Sequence, residues 1–193
     1  MGNIRSVLNA LREVGSAGEL ISDPEKIARR GKLILPGVGA FGEAMSNLRR
    51  SAIDQSLEHA RHAGALILGI CLGMQLLLST SEEGGAHAGL GWIKGRVVRF
   101  PEQAGLRVPH MGWNELRLNR EHALTRGVAN GSDVYFLHSY YCACDDPGDV
   151  LATATHGVAF AAMLARDNLL GIQFHPEKSQ QPGLAMLRNF VQL

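Results

Sequence analysis

The segment Ala65-Leu66-Ile67-Leu68-Gly69-Ile70 is apolar at every position. A strand of that kind is tolerated only where both faces of its sheet are covered, which points to a parallel sheet between helical layers. Lys32-Leu33-Ile34-Leu35 is a second such strand, ending at Pro36-Gly37-Val38-Gly39. Between the two, the pattern predicts one long helix from about Phe41 to Ala63, with no internal proline. Leu72 to Leu78 reads as a further helix. The chain opens on Ile4, Val7, Leu8, Leu11 and Val14 at helical spacing, with Asn3 as N-cap and Gly15 as stop. Ser22-Asp23-Pro24-Glu25 has the form of a capping box that starts another helical turn. From Trp92 the character changes: Val97-Val98-Arg99-Phe100 and Trp113-Asn114-Glu115-Leu116-Arg117-Leu118 alternate between wet and dry faces. Segments 133–143, 150–155, 158–164 and 169–174 continue the strand-rich stretch, and Leu184 to Val191 closes it as an amphipathic helix. The expected architecture is one α/β domain over residues 1–193. It is a three-layer structure, a mixed and mainly parallel sheet with helices on both faces.

Bulk properties narrow the function. With 46% apolar residues, 193 residues bury a sizeable core without disulfides or metals. Lysine plus arginine (19) balances aspartate plus glutamate (18), which gives no electrostatic reason to expect nucleic acid or an anionic membrane as partner. No apolar run is long enough to span a bilayer, no signal-peptide layout opens the chain, and three cysteines do not make a disulfide framework. A cytosolic protein with reduced thiols is expected, and no cofactor or metal.

Gly69-Ile70-Cys71-Leu72-Gly73 joins a buried strand to a helix through a cysteine. That is the layout of a nucleophile elbow, in which a strained turn lifts the side chain clear of the sheet and flanking glycines let strand and helix pack closely. The helix N-terminus favours a negatively charged sulfur, and the Leu72 N–H is placed to donate to a developing oxyanion. A lone cysteine in an apolar run is more often a packed core residue; the two glycines and the strand-to-helix change reverse that balance. Cys142 and Cys144 lack such a setting. A metal there would need further ligands, and His138 is the only neighbour in sequence.

A cysteine nucleophile needs a base and a group that orients the base. Of eight histidines, His59, His62, His87, His122 and His156 lie in polar helical or loop-like sequence and read as solvated. His175 ends the apolar strand 169–174, where catalytic groups of parallel sheets gather. Pro176 stops the strand, and Glu177 is placed to turn back to the ring.

At these residues the chain resembles the class I, triad-type glutamine amidotransferases, whose elbow looks like Gly69-Ile-Cys-Leu-Gly-Met-Gln75 and whose base motif looks like His175-Pro-Glu177. Pro36-Gly-Val-Gly-Ala-Phe41, Pro109-His-Met-Gly-Trp-Asn114, His138-Ser-Tyr-Tyr141 and Gln173-Phe-His-Pro-Glu-Lys-Ser-Gln180 are similar, more narrowly, to the glutaminase subunits of imidazole glycerol phosphate synthases. The resemblance implies Cys71, His175 and Glu177 as catalytic residues and an oxyanion site at Leu72, Val38 and Gly39. It implies glutamine held by Gly37, Gln75, His138, Ser139 and Tyr140. It also implies a heterodimer with a (β/α)₈ cyclase subunit that receives ammonia, with Met111, Trp113, Tyr140 and Lys178 at interface or gating positions.

One departure is expected to matter. In that family an apolar strand precedes a Gly-Met-Gly-Asn turn, whereas this chain begins Met1-Gly2-Asn3. The first strand of the sheet is therefore expected to be absent, through a late-assigned start or a truncation, at a cost in unpaired backbone. Two other readings share these residues: a cysteine hydrolase or peptidase on a related scaffold, and a non-enzymatic subunit with a vestigial site.

Overall fold

A strand without polar positions has to lie in the middle of its sheet, and the computed structural model, which describes residues 2–102 and 105–193, has that arrangement. In chain order the elements are α1 (Gly2–Glu13), α2 (Pro24–Ala28), β1 (Lys32–Gly37), α3 (Phe41–Arg50), α4 (Ile53–His62), β2 (Leu66–Cys71) and α5 (Leu72–Leu76). The strand-rich part follows as β3 (Leu78–Ser81), β4 (His87–Ala88), β5 (Ile93–Arg99), β6 (His110–Glu115), β7 (Arg117–Leu118), β8 (Asp133–His138) and β9 (Tyr140–Cys144). It continues with β10 (Val150–His156), β11 (Val158–Arg166) and β12 (Leu169–Ile172) before α6 (Gln180–Gln192).

Among the described residues ten strands form one sheet, ordered β1-β2-β12-β11-β9-β5-β3-β4 with β10 and β7 branching from β11, while β6 and β8 form a separate antiparallel pair. The strands that carry the elbow and the histidine, β1, β2 and β12, run parallel, as do β3 and β5. The mainly parallel character expected from sequence holds for this site-bearing part; antiparallel ladders make up the rest. Alternate residues of β2 feed opposite layers: Leu68 and Ile70 pack with Val7 and Leu11 of α1 and Met186 and Phe190 of α6, whereas Ile67 packs with Phe41, Met45 and Met74. Helices therefore cover both faces.

Local differences from the sequence reading have identifiable causes. The long helix breaks at Ser51-Ala52: the Ser51 hydroxyl donates to the carbonyls of Asn47 and Leu48, and Ala52 takes a left-handed conformation (φ 54°) that starts α4 afresh. α5 ends at Leu76 because Leu78 enters β3, so the helix expected to Leu78 is shorter. Asp23, rather than Ser22, caps α2, its carboxylate accepting from the Glu25 N–H at 3.0 Å. Asn3 lies inside α1, and its side chain is outside the described residues; Gly15 (φ 84°) ends that helix as expected. α6 begins at Gln180, ahead of the expected Leu184. Strands 113–118 and 133–143 are each divided, at Leu116 and Ser139. The first described element is a helix, and β1 forms the edge of the sheet with no outer partner among the described residues. Its burial is only partial, and an edge is where Pro36 can stand in a strand without an unmade ladder bond. Among the described residues no helix is long and apolar enough to cross a membrane.

Candidate active site

β2 runs directly into α5 with Cys71 at the joint, at φ 55° and ψ −112°. A non-glycine residue held there costs roughly 1–3 kcal/mol and persists only where the surroundings over-determine it. Parallel pairing fixes Gly37 beside Cys71 on one side, and Ile172 beside Ile70 on the other. Both flanking glycines are dictated by close approach. A Cβ on Gly69 would meet the Gly73 carbonyl oxygen at 2.5 Å, and one on Gly73 would meet the Leu35 carbonyl oxygen at 1.8 Å.

His175 follows β12 at its carboxyl end, tied there by its N–H to the Tyr135 carbonyl at 2.9 Å. Its Nδ1 lies 3.0 Å from Glu177 Oε1, and both side chains are buried. The Cys71 side chain also acts on the imidazole, favouring its protonated form. Burial pulls the ring's pKa down, but Cys71 and Glu177 outweigh it and push the value up to about 9. Glu177 Oε2 is buried with no hydrogen-bond partner among the described residues, which leaves the His175 ring as the group that compensates this carboxylate. The Cys71 thiol further contacts Gln173 Nε2 at 3.8 Å and donates toward the Leu137 carbonyl at 3.9 Å.

Glu177→Gln tests this arrangement. The variant keeps the shape but removes the charge that helps raise His175. The imidazole titration followed by NMR is expected to move down from about 9, with kcat lowered about 10²- to 10⁴-fold, as when a triad loses its orienting carboxylate. An unmoved titration would mean that Glu177 does not orient the ring.

Cys71 and His175 open into a cleft of about 710 Å³. One wall is Val38-Gly39, with Gly39 at φ 105°; the other is His138-Ser139-Tyr140, and Leu72 and Gln75 lie at the base. Gly37 stands behind the wall, where a Cβ would meet Gly73 N and Leu72 Cβ at 2.9 Å. Gln75 Nε2 donates to the Tyr140 carbonyl (2.8 Å) and to Gln173 Oε1 (3.0 Å). Lys178 reaches the rim with its ammonium 5.4 Å from the Tyr135 ring. Met111 and Trp113 lie outside the cleft, on the outer face of the β6–β8 pair, 65% and 50% exposed. There Met111 pairs with Leu137, and Trp113 with Tyr135.

Gln173 and Ser179 lie in the block 173–180 but have no role assigned from sequence. Gln173 is fully buried two residues before His175; besides opening the block 173–180, it is a polar residue inside the otherwise apolar run 169–174. The buried Ser179 hydroxyl donates to the His175 carbonyl (2.7 Å) and accepts from the Tyr135 N–H (3.0 Å), fixing the turn that carries Glu177. Two histidines read as solvated are held: His122 Nδ1 accepts from the Leu124 N–H, and His156 Nε2 donates to the Arg107 carbonyl. Burial pushes the Cys142 thiol well above its ordinary value and that of Cys144 up to about 12, so both are inert thiols. Among the described residues no group of three or more His, Cys, Asp or Glu is placed to hold a metal ion.

A mixed sheet with a strained cysteine elbow and a His–Glu pair at the adjacent strand end defines a triad-type amidotransferase scaffold, and the chain belongs to the class-I glutamine amidotransferase family, whose model matches residues 2–193. In fold it is similar to a solved glutamine amidotransferase (TM-score 0.76, 21% identity, 99% of this chain and 93% of that one). PurLQS from Thermotoga maritima is a second such neighbour (TM-score 0.71, 19% identity, 97% and 91%). Within the class the chain belongs with the imidazole glycerol phosphate synthase subunits HisH. It is 48% identical to that of Moorella thermoacetica over 193 residues, covering 100% of this chain and 91% of the relative. To that of Archaeoglobus fulgidus it is 48% identical over 195 residues, covering 100% and 94%.

Proposed function

We propose that residues 1–193 form a single glutaminase domain in which Cys71, His175 and Glu177 hydrolyse the side-chain amide of L-glutamine. The chain is the glutaminase subunit of an imidazole glycerol phosphate synthase, serving histidine biosynthesis. The observation that carries the residue assignment is the buried His175–Glu177 pair, with Cys71 and His175 lining one cleft wide enough for an amino acid.

The Cys71 thiolate attacks the amide carbon, and the oxygen takes up negative charge facing the backbone N–H groups of Leu72 and the Val38-Gly39 loop. His175, protonated while paired with the thiolate, gives its proton to the departing nitrogen. The C–N bond breaks, ammonia leaves and a glutamyl thioester remains. Neutral His175 then takes a proton from water as the water attacks. The C–S bond breaks, glutamate departs and the thiolate returns beside the imidazolium. Glu177 holds Nδ1 throughout, so the opposite ring nitrogen faces the reacting atoms. Gln75 and the backbone of His138-Ser139-Tyr140 hold the amino-acid end, with Gly37 backing the loop opposite.

The ammonia needs an acceptor, and the partner we infer is a cyclase subunit of (β/α)₈ type, joined in a heterodimer. It would combine the ammonia with a ribulosyl-type aminoimidazole carboxamide precursor, which is cleaved to give imidazole glycerol phosphate and release aminoimidazole carboxamide ribotide. The exposed Met111, Leu137 and Trp113 beside the cleft, with half-buried Tyr135 next to Trp113 and Lys178 at the cleft, support this surface as the docking face.

Ammonia release from glutamine, measured with and without the cyclase and its nucleotide substrate, tests the reading. Weak turnover alone and strong activation in the complex are expected, because the Val38-Gly39 loop is exposed and hinged on a glycine. Equal rates in both states would overturn the gated loop, and peptide cleavage without ammonia release would overturn the glutaminase assignment.

A further inference from the structure

Behind the cleft wall lies a row of polar groups that the triad does not use, with His138 and His110 buried and Asn114 half-buried. His138 Nδ1 is 2.9 Å from the Tyr140 carbonyl oxygen. His110 Nδ1 is 3.1 Å from His138 Nε2, and Asn114 Nδ2 is 3.2 Å from His110 Nε2. Asn114 Nδ2 also donates to the Thr155 carbonyl at 2.8 Å, while its Oδ1 accepts from the Glu115 N–H at 2.9 Å, so the orientation of this amide is fixed.

The proton positions follow link by link. A carbonyl only accepts, so His138 carries its proton on Nδ1. Burial, countered in part by the Tyr140 bond, pulls that ring down to about 3; it is neutral at physiological pH, and its Nε2 is a bare acceptor. His110 must then donate from Nδ1. Burial and the nearby His156 bring His110 to about 4, so it too is neutral and its Nε2 accepts from Asn114. Every donor meets an acceptor in one direction only. Reversing either tautomer would set two N–H groups, or two lone pairs, against each other.

The chain ends on the carbonyl that Gln75 also holds, at 2.8 Å. From there Gln75 bonds Gln173, which contacts the Cys71 sulfur at 3.8 Å. Packing alone does not call for imidazoles at these places. His110 is stacked between Phe136 and His156, with centroids 4.8 Å and 4.2 Å away, a slot an apolar ring would fill without having to satisfy buried polar atoms.

We propose that His110 and His138 are positioning residues: two neutral imidazoles in series, both protonated on Nδ1, that fix the Tyr140 carbonyl and so set the Ser139-Tyr140 edge that binds glutamine. The proposal rests on the glutaminase reading and adds to it a polar support for the substrate wall, anchored on β6. On that strand His110 and Asn114 face inward, whereas Met111 and Trp113 face the docking surface.

Two measurements decide it. Nitrogen-15 NMR of the imidazoles in the whole wild-type chain at neutral pH should show Nδ1–H and a bare Nε2 for both rings; an Nε2–H tautomer in either overturns the chain. Glutamine kinetics in the complex with the cyclase should show KM raised about tenfold in His110→Phe, the worth of one hydrogen bond, with kcat within about threefold. His110→Asn, whose amide can place an N–H where Nδ1–H stands, should recover most of that loss. A lowered kcat at unchanged KM, or no recovery in His110→Asn, overturns the positioning role. Wild-type enzyme without ammonia release overturns the glutaminase reading and this inference together, whereas an active wild type with unchanged KM in His110→Phe overturns the inference alone.

Discussion

Cys71→Ala is expected to remove ammonia release from glutamine by at least about 10⁴-fold while leaving the fold intact, since a triad without its nucleophile retains only what binding and the oxyanion site supply. The alanine side chain fits wherever the cysteine Cβ stood, so circular dichroism and thermal midpoint should match the wild type. A second readout ties the loss to chemistry. His175 is held up to about 9 against the effect of burial partly by the Cys71 side chain. In Cys71→Ala the burial remains and that support is gone, so the imidazole pKa must fall. An NMR titration of His175 that stays near 9 would show that the two side chains are not paired, and residual turnover above about one part in 10³ would point to another nucleophile.

The parts of this site that are local in sequence were legible there. The elbow shows itself because strand, glycine, cysteine, glycine and helix are contiguous, and His175-Pro176-Glu177 because base and orienter are two residues apart. Features that depend on tertiary pairing were not legible. Ser51-Ala52 divides a helix without glycine or proline, through a side-chain hydroxyl competing for main-chain carbonyls, which no period-based reading detects. Leu72 to Leu78 is apolar throughout except for Gly73 and Gln75, so periodicity cannot tell where helix gives way to β3. His110 sits in a motif whose outward residues drew attention, and its partner His138 is paired with it only by the register of β6 on β8. His156 read as a loop histidine because its stacking against His110 joins segments far apart in the chain.

Gly73→Ala is expected to be the most damaging single-methyl change in the chain's framework. Helix propensity alone would make alanine better than glycine at this position in α5 by about 1 kcal/mol. The added Cβ, however, would stand 1.8 Å from the Leu35 carbonyl oxygen, far inside contact distance, and the obstacle is backbone in a strand. Relief requires β1 and the start of α5 to separate. That strains the Leu35–Gly69 and Gly37–Cys71 pairings, on the one side of the strand that has a partner among the described residues. Overpacking against such an obstacle costs about 3 kcal/mol or more, lowering the thermal midpoint of a chain this size by roughly 6–12 °C. Because Gly37 leads into the Val38-Gly39 wall, the same displacement should lower kcat even at temperatures where the variant is folded. Gly31→Ala is the matched control: a Cβ there meets nothing within 4 Å, and its stability should stay within about 0.5 kcal/mol of the wild type. Equal midpoints for the two variants would mean that α5 and β1 are not packed this closely, and the close approach that holds Cys71 in its strained turn would lose its basis.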